Sequence, residues 1–151
     1  MEGLMDRADR YDSLFQYYGH KHGIPWTFLK AQGLAESLLD PKAQSPVGAV
    51  GLMQFMPATW QEWWDETIGI QGLPGADRTN PEVSIAAAAA YMEKLCETFG
   101  SRDVALAAYN WGWGNVRRFL QHHAYFPVEK LPLETRQYIE RINKIYETLR
   151  F

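Results

Sequence analysis

Apolar residues recur at three- and four-residue spacing along most of the chain, which is the pattern of helices with one buried face. Alternating apolar and polar runs, typical of half-buried strands, are nearly absent. The pattern therefore predicts an all-α domain. The predicted helices cover residues 6–20, 25–38, 57–67, 81–99, 101–109, 115–121 and 132 onwards, with a helical turn at 51–55 and a glycine-rich loop at 69–77.

Several of these boundaries rest on residues that begin or end helices. Asn80-Pro81 predicts a capped helix start, and Asp40-Pro41 predicts a helix end because proline pushes the preceding residue out of the helical region. Gly112 and Gly114 are expected to interrupt the helical pattern. The alanine-rich stretch after Pro81 places small residues on one stripe, so we expect it to be the central, closely packed helix.

Length and composition indicate an ordinary globular chain. Its 151 residues predict one domain spanning residues 1–151 and, in isolation, a monomer. Aromatic residues are frequent at 14%, with six Trp and eight Tyr, and some of them could stack on sugar rings in a groove. The net charge of −3 comes without a basic block, which argues against a nucleic-acid partner. The single cysteine, Cys96, excludes a disulfide within the chain.

Targeting and metal-binding signals are weak. The first ten residues lack the apolar core of a signal peptide, and the longest apolar run, 85–92, is too short to insert into a membrane. We therefore expect a soluble chain that another component delivers, or a domain cut from a larger protein. His20 and His22 point in different directions on a helix, and His122 and His123 lie together at a helix end. Neither pair is expected to bind a metal, and no cofactor is predicted.

Glu36 stands near the predicted end of the second helix, one turn after Gln32. Most glutamates are exposed helix-surface residues, and on its own Glu36 fits that description. Apolar surroundings would instead disfavour the charged carboxylate and raise its pKa, as a general acid near neutral pH requires. Asp40 is four residues away, but its place before Pro41 favours a helix-ending role over that of a second carboxylate.

The loop after Glu36 carries neutral polar groups among glycines. Gly48 and Gly51 permit positive φ or close backbone approach, while Ser45 and Gln54 offer the donors and acceptors that sugar hydroxyl and acetamido groups need. A capped turn between two helices would explain the same residues. The loop therefore leaves both interpretations open until the whole string of motifs is considered.

That string resembles the soluble lytic transglycosylase family, in the superfamily of goose-type lysozymes. The resemblance covers about residues 10–146, nearly the whole chain. The matching motifs are Glu-Ser at 36–37, Ser-Pro-x-Gly-Ala at 45–49, Gly-Leu-Met-Gln at 51–54, Ala-Tyr-Asn at 108–110 followed by Gly-x-Gly at 112–114, and Pro-x-Glu-Thr-Arg-x-Tyr at 132–138.

The resemblance implies a lysozyme-like helical fold, a substrate groove and a set of site residues. Glu36 is implied as the single catalytic acid and base. The implied substrate-binding residues are Ser45, Met53, Gln54, Tyr109, Asn110 and Tyr138. The implied partner is the glycan strand of peptidoglycan, at the cell wall or in the periplasm. The lack of a signal-peptide pattern and of a disulfide favours a bacteriophage virion or lysis protein, with an excised domain of a larger protein as the alternative.

Other motif positions leave their roles open. Glu134 and Arg136 are expected to form an interior salt bridge that holds the last helix. Trp111 and Trp113 stand where the family often has Ala and Pro, and each is either a packing residue or part of a platform on which sugars stack.

A single convincing carboxylate suggests a mechanism in which the substrate supplies the nucleophile, since most glycosidases use two carboxylates. Under this hypothesis Glu36 protonates the MurNAc–GlcNAc bridging oxygen and later deprotonates the C6 hydroxyl, giving a 1,6-anhydro product without metal or cofactor. The alternatives are a hydrolytic muramidase of the same fold and a catalytically silent wall-binding component of a virion.

Overall fold

The computed structural model describes residues 3–60 and 77–150, and within these ranges every regular element is helical. The only strand-like pairings there are isolated bridges of Val50 with Gln44 and Phe55. The predicted all-α fold is therefore confirmed. The helices are α1 Leu4–Arg7, α2 Asp12–His22, α3 Trp26–Ser37, α4 Pro81–Phe99, α5 Arg102–Trp111, α6 Trp113–Gln121 and α7 Leu133–Leu149, with a 3-10 turn at Val128–Lys130.

The predicted helix 57–67 and the loop 69–77 lie mostly outside the described residues. Of these segments, residues 57–60 are helical, and residues 77–80 form the turn that leads into α4. The rest of the predicted helix and of the predicted loop lies outside the described residues, so both remain predictions there.

Two boundaries differ from those that the sequence pattern predicts. The first predicted helix is divided into α1 and α2, because the chain turns at residues 8–11 and buries Tyr11. Arg7 holds this arrangement in place by donating from Nε to the Leu38 carbonyl oxygen at 2.9 Å. Gly114 lies inside α6, so Gly112 alone, with φ of 98°, separates α5 from α6.

The alanine-rich helix α4 is capped as its sequence predicts. The Asn80 side chain accepts a hydrogen bond from the Val83 amide at 3.0 Å, and Gly100 ends the helix in the left-handed region. Its residues 83–89 are all buried, and the helix packs against both α2 and α5. Small side chains allow these helices to approach closely, so α4 occupies the centre of the core as expected.

The pairing of α3 with α7 positions the candidate site. Phe28 of α3 is buried, and its ring meets Tyr146 of α7 edge to face at 5.3 Å. Truncating such a buried Phe to Ala would cost about 3–5 kcal/mol. Gly33 of α3 allows the loop to pack closely, since a Cβ there would lie 3.1 Å from both Leu39 and Leu52. The last turn of α3 is therefore enclosed by α7 on one side and by the loop on another.

No helix within residues 3–60 and 77–150 combines the length and the apolar character needed to cross a membrane.

Candidate active site

Glu36 occupies the last turn of α3, where the helix stops abruptly. Leu38 and Leu39 follow with φ of 55° and 61°, a left-handed conformation that costs a non-glycine residue roughly 1–2 kcal/mol. Complete burial of the Leu39 side chain offsets part of this strain. The turn leaves the half-buried Glu36 on a concavity of about 550 Å³, whose wall across from α3 is formed by Arg141 and Ile145.

Burial raises the pKa of the Glu36 carboxyl from 4.5 to about 8. The hydrogen bond from Tyr138 and the positive charge of Arg141 act in the opposite direction, and the negative charge of Glu134 raises the pKa further. Desolvation dominates because the surrounding groups only partly replace the water that the carboxylate loses. Glu36 is therefore protonated at neutral pH and can act as an acid, the second of the two interpretations that its sequence context left open.

Tyr138 connects α7 to this carboxyl. Its hydroxyl donates to Glu36 Oε2 at 3.4 Å, a long hydrogen bond, and accepts from Nε2 of Gln32 at 3.2 Å. Burial and the nearby charge of Glu36 raise the pKa of Tyr138 well above its ordinary value. The phenol thus stays neutral and acts as a hydrogen-bonding group, not as a base.

The loop that follows α3 is held by its own polar side chains. Ser37 donates to the Leu52 carbonyl oxygen at 2.7 Å and so ties the end of α3 to the Gly-Leu-Met-Gln segment. Ser45 Oγ accepts from the amides of residues 47 and 49, at 3.3 and 3.0 Å. Gln54 Nε2 donates to the Ala43 and Gly51 carbonyl oxygens, at 3.1 and 2.8 Å. Ser45 and Gln54 therefore shape the loop, and their contact with substrate stays a prediction.

A second set of contacts fixes the loop from beneath. Met53 is completely buried; its amide donates to Ser84 Oγ at 3.1 Å, and its carbonyl oxygen accepts from the Tyr109 hydroxyl at 2.8 Å. Arg78 donates to the carbonyl oxygens of residues 48 and 55, at 3.1 and 2.7 Å. A Cβ on Gly51, which has φ of 95°, would collide with the Arg78 carbonyl oxygen. Met53 is thus buried beneath the loop, and its predicted role in binding substrate stays a prediction.

A further concavity of about 430 Å³ lies along α5 and the start of α6. Tyr109 and Asn110 line it, and Asn110 Oδ1 is held by a 2.9 Å hydrogen bond from Thr135 Oγ1. Trp111 and Trp113 line it as well. Trp111 is half-buried and packs against Phe119, whereas Trp113 is 39% exposed. The Trp113 ring also has an intramolecular partner, since the Arg117 guanidinium lies over it at 5.1 Å from the centroid.

The structure brings some predicted site residues together and leaves others apart. Glu36 and Tyr138 share a hydrogen bond, and the charge of Glu36 contributes to the raised pKa of Tyr109. Ser45 and Gln54 bond only to the loop backbone among the contacts of the described residues.

The interior salt bridge predicted between Glu134 and Arg136 is wrong. Glu134 is exposed, and Arg136 donates from Nη1 to the Glu129 carbonyl oxygen at 3.3 Å. Residues two apart on a helix point in different directions, which keeps the two charges separate. The cation of α7 that lowers the pKa of Glu36 is instead Arg141. It follows Tyr138 by three residues, and this helical spacing would have indicated that the two side chains share a face.

The remaining polar candidates have structural surroundings. Asp40 Oδ1 accepts from the Lys42 amide at 2.9 Å, which fits its predicted role where α3 ends. His22 Nδ1 lies 3.1 Å from Glu93 Oε1, and the His123 ring stacks on Phe119. Among the described residues no three His, Cys, Asp or Glu side chains could hold a metal ion together.

The helical domain thus ends one helix at a carboxyl with a raised pKa beside an open concavity, which is a group able to donate a proton. Residues 13–130 match the family model of the transglycosylase SLT domain. Because this match takes in most of the chain, the chain belongs to the transglycosylase SLT family, and the family predicted from the motifs is confirmed.

Similar proteins carry this domain within much longer chains. The soluble lytic murein transglycosylase of Escherichia coli K12 is 34% identical in an alignment of length 143 that covers 87% of this chain and 22% of that protein. Peptidoglycan transglycosylase gp16 of Escherichia phage T7 is 34% identical in an alignment of length 120 that covers 74% of this chain and 9% of that protein. The structure of an inactive glutamate-to-glutamine mutant of lytic transglycosylase Slt from Pseudomonas aeruginosa covers 93% of this chain and 24% of its own, with 31% identity and a TM-score of 0.79.

Proposed function

We propose that this domain is a peptidoglycan lytic transglycosylase in which Glu36 is the only acid and base. The observation that carries the proposal is the burial of Glu36, which raises its pKa to about 8 at the edge of an open concavity. A proton held at neutral pH is what the departing sugar oxygen needs. The names of the E. coli and phage T7 relatives support peptidoglycan as the substrate.

The proposed reaction begins with proton transfer from Glu36 to the bridging oxygen of the β-1,4 bond between MurNAc and GlcNAc. As that C–O bond breaks, the 2-acetamido carbonyl oxygen of MurNAc bonds to C1 and forms an oxazolinium ion. Glu36, now ionised, removes the proton from the C6 hydroxyl. The C6 oxygen then bonds to C1, the oxazolinium opens, and a 1,6-anhydro ring results. No water is consumed, and Glu36 regains its proton.

The neighbours of Glu36 suit both halves of this cycle. Desolvation keeps the carboxyl protonated before the first transfer, while Tyr138 and Arg141 favour the ionised form that exists after it. A catalytic acid that must later act as a base works best when neither form is strongly preferred near the working pH. A glutamate-to-glutamine mutant of the P. aeruginosa enzyme is inactive, which supports an essential glutamate in the proposed mechanism.

The glycan strand is proposed to run along the loop and α5. Ser45, Gln54, Tyr109 and Asn110 would contact its hydroxyl and acetamido groups, with Met53 beneath them and Tyr138 beside the reacting sugar. Trp113, a residue that is 39% exposed and lines the concavity along α5, is proposed as a stacking surface for a sugar ring.

The proposed setting is a single catalytic domain, monomeric in isolation, that reaches peptidoglycan as part of a phage particle or lysis system or within a longer bacterial protein. The similarity to phage T7 gp16 supports the phage setting, and that to the E. coli enzyme supports the bacterial one.

The test is digestion of purified peptidoglycan followed by mass spectrometry of the released muropeptides. We expect products ending in 1,6-anhydro-MurNAc from the wild type, none from Glu36→Gln, and normal release by the control Glu97→Gln, which alters an exposed carboxyl on α4. Reducing-end MurNAc would show a hydrolytic muramidase instead. Equal release by the wild type and Glu36→Gln would remove Glu36 from the mechanism, and no release by any variant would favour a silent wall-binding component.

A further inference from the structure

Gln32 lies one helical turn before Glu36 and is completely buried between α3 and α7. Its amide Nε2 donates to the Tyr138 hydroxyl at 3.2 Å, and that hydroxyl donates to Glu36 Oε2 at 3.4 Å. The three side chains therefore form one continuous line of hydrogen bonds that ends on the candidate acid.

The other half of the Gln32 amide is unusual. Oε1 is buried and has no hydrogen-bond partner among the residues that the structure describes. An unpaired buried acceptor reduces stability, and an apolar side chain of similar size would fill the same space without that cost. The buried residues that flank Gln32 on α3, including Phe28 and Leu29, are mainly apolar. Packing alone therefore does not account for an amide at this position.

The observed orientation suits an ionised Glu36. The Gln32 amide donates to the phenol oxygen, so the phenol hydrogen is directed at the carboxylate. A protonated Glu36 can instead donate its own hydrogen to the phenol oxygen, which leaves the phenol hydrogen in need of another acceptor. Rotation of the Gln32 amide by half a turn places Oε1 where Nε2 was, and Oε1 then accepts that hydrogen.

We propose that Gln32 is a positioning residue that reverses the direction of the Tyr138 hydroxyl as Glu36 gains and loses its proton. The amide nitrogen faces Tyr138 while Glu36 is ionised, and the amide oxygen faces it while Glu36 is protonated. The proposal rests on the proposed function, because only an acid that later acts as a base alternates between these states during turnover.

The other charged and titratable groups around Glu36 do not supply this reversal. Arg141 and Glu134 of α7 act on Glu36 through their charges, and the Tyr109 hydroxyl of α5 is committed to the Met53 carbonyl oxygen. Their effects are present in every variant below and cancel in the comparison.

The first test is independent of activity. Side-chain amide resonances of Gln32 are followed by NMR from pH 5 to 10, with those of Gln16, exposed on α2, as the control. We expect the Gln32 signals to shift with the midpoint of the Glu36 titration in the wild type and to lose that shift in Glu36→Gln, while those of Gln16 stay constant. Gln32 amide signals whose chemical shifts stay constant while Glu36 titrates would overturn the proposal, whether or not the protein cleaves peptidoglycan.

The second test is a double-mutant cycle of Gln32→Met and Tyr138→Phe on the rate of muropeptide release. Met has nearly the same length as Gln but forms no comparable hydrogen bond, so we expect kcat to fall about five- to tenfold and KM to stay within about twofold. Hydrogen bonds to an ionised group are the stronger ones, so the ionised form of Glu36 loses more support than the protonated form. The alkaline limb of the pH–rate profile should therefore move up by about half a unit. The thermal midpoint should stay the same or rise. In the Tyr138→Phe background Gln32→Met should have almost no further effect.

Additive effects of the two substitutions, or a lower thermal midpoint with an unchanged pH profile, would make Gln32 a purely structural residue. If Gln32→Met fails to fold, Gln32→Asn withdraws the amide from Tyr138 while keeping its polarity, and the same outcomes apply. An inactive wild type would contradict the proposed function and leave the NMR test of Gln32 intact.

Discussion

Replacing Glu36 by Gln is expected to stabilise the fold at alkaline pH while removing the proposed acid. The pKa of Glu36 is about 8 in the folded chain, against the ordinary 4.5 of an exposed carboxyl. The folded chain therefore holds a proton that the unfolded chain releases. As pH rises from 4.5 to 8 the unfolded state gains stability relative to the folded one, and above 8 the difference becomes constant.

The size of the effect follows from the same shift. A difference of 8 − 4.5 = 3.5 units corresponds to at most about 5 kcal/mol of unfolding free energy. Glu36 keeps partial contact with solvent on its concave side, so screening and local relaxation reduce the expected value to about 2–4 kcal/mol. At pH 5 most of the penalty is still absent, and the difference between wild type and Glu36→Gln should be below about 1 kcal/mol.

The assay is urea unfolding followed by circular dichroism at pH 5 and pH 9. Glu97→Gln serves as the matched control, since it removes an exposed carboxylate from α4. We expect Glu36→Gln to be more stable than the wild type at pH 9 only, and Glu97→Gln to follow the wild type at both pH values. A stability difference between wild type and Glu36→Gln that is the same at pH 5 and pH 9 would refute desolvation as the origin of the raised pKa.

Other outcomes follow from the same contacts. The initial rate of peptidoglycan clearing, followed by turbidity, should fall about tenfold per pH unit above about pH 8, where Glu36 loses the proton that it is proposed to donate. A rate that stays constant to pH 10 would contradict this role. Gly51→Ala should lower the unfolding free energy by at least about 2 kcal/mol in chemical denaturation, because the methyl group meets the Arg78 carbonyl oxygen. Gly100→Ala, at φ of 74° with open space around it, should lower the unfolding free energy by only about 1 kcal/mol. Equal losses of unfolding free energy in the two variants would show that the contact between the methyl group added in Gly51→Ala and the Arg78 carbonyl oxygen is relieved by a small shift. Trp113→Ala should raise KM for glycan strands severalfold with kcat and the thermal midpoint nearly unchanged, and an unchanged KM would exclude the stacking surface.

The fold could be predicted where local chemistry decides it. The side chains of Asn80 and Ser101 both accept hydrogen bonds from amides three residues later, and these short-range caps start α4 and α5 as the sequence indicates. The break between α1 and α2 was not predicted, because it depends on Arg7 and Leu38, which are 31 residues apart. Periodicity carries no information about such a contact.

The candidate site shows the same division. Glu36 was selected from sequence by the motif around it, whereas its helical context alone left an exposed glutamate and an acid of raised pKa both open. The side chains that adjust the Glu36 pKa, namely Tyr138, Arg141 and Glu134, come from α7, about a hundred residues further along the chain. The sequence did not predict their effect on Glu36, and it paired Glu134 with Arg136 instead. Ser45 and Gln54 were expected to face the substrate, yet much of their hydrogen-bonding capacity serves the loop backbone.

A polar loop beside the proposed catalytic carboxyl must be rigid without being filled by apolar side chains. In this protein side chains bond to its backbone from several directions: Ser37 from α3, Ser84 from α4, Tyr109 from α5 and Arg78 from the turn before α4. Each hydrogen bond contributes only about 1 kcal/mol, but each also satisfies a backbone group that would otherwise be exposed to an apolar core. The loop can therefore stay open to a polar ligand on its outer side, while the buried acid keeps the low-dielectric surroundings that hold its proton.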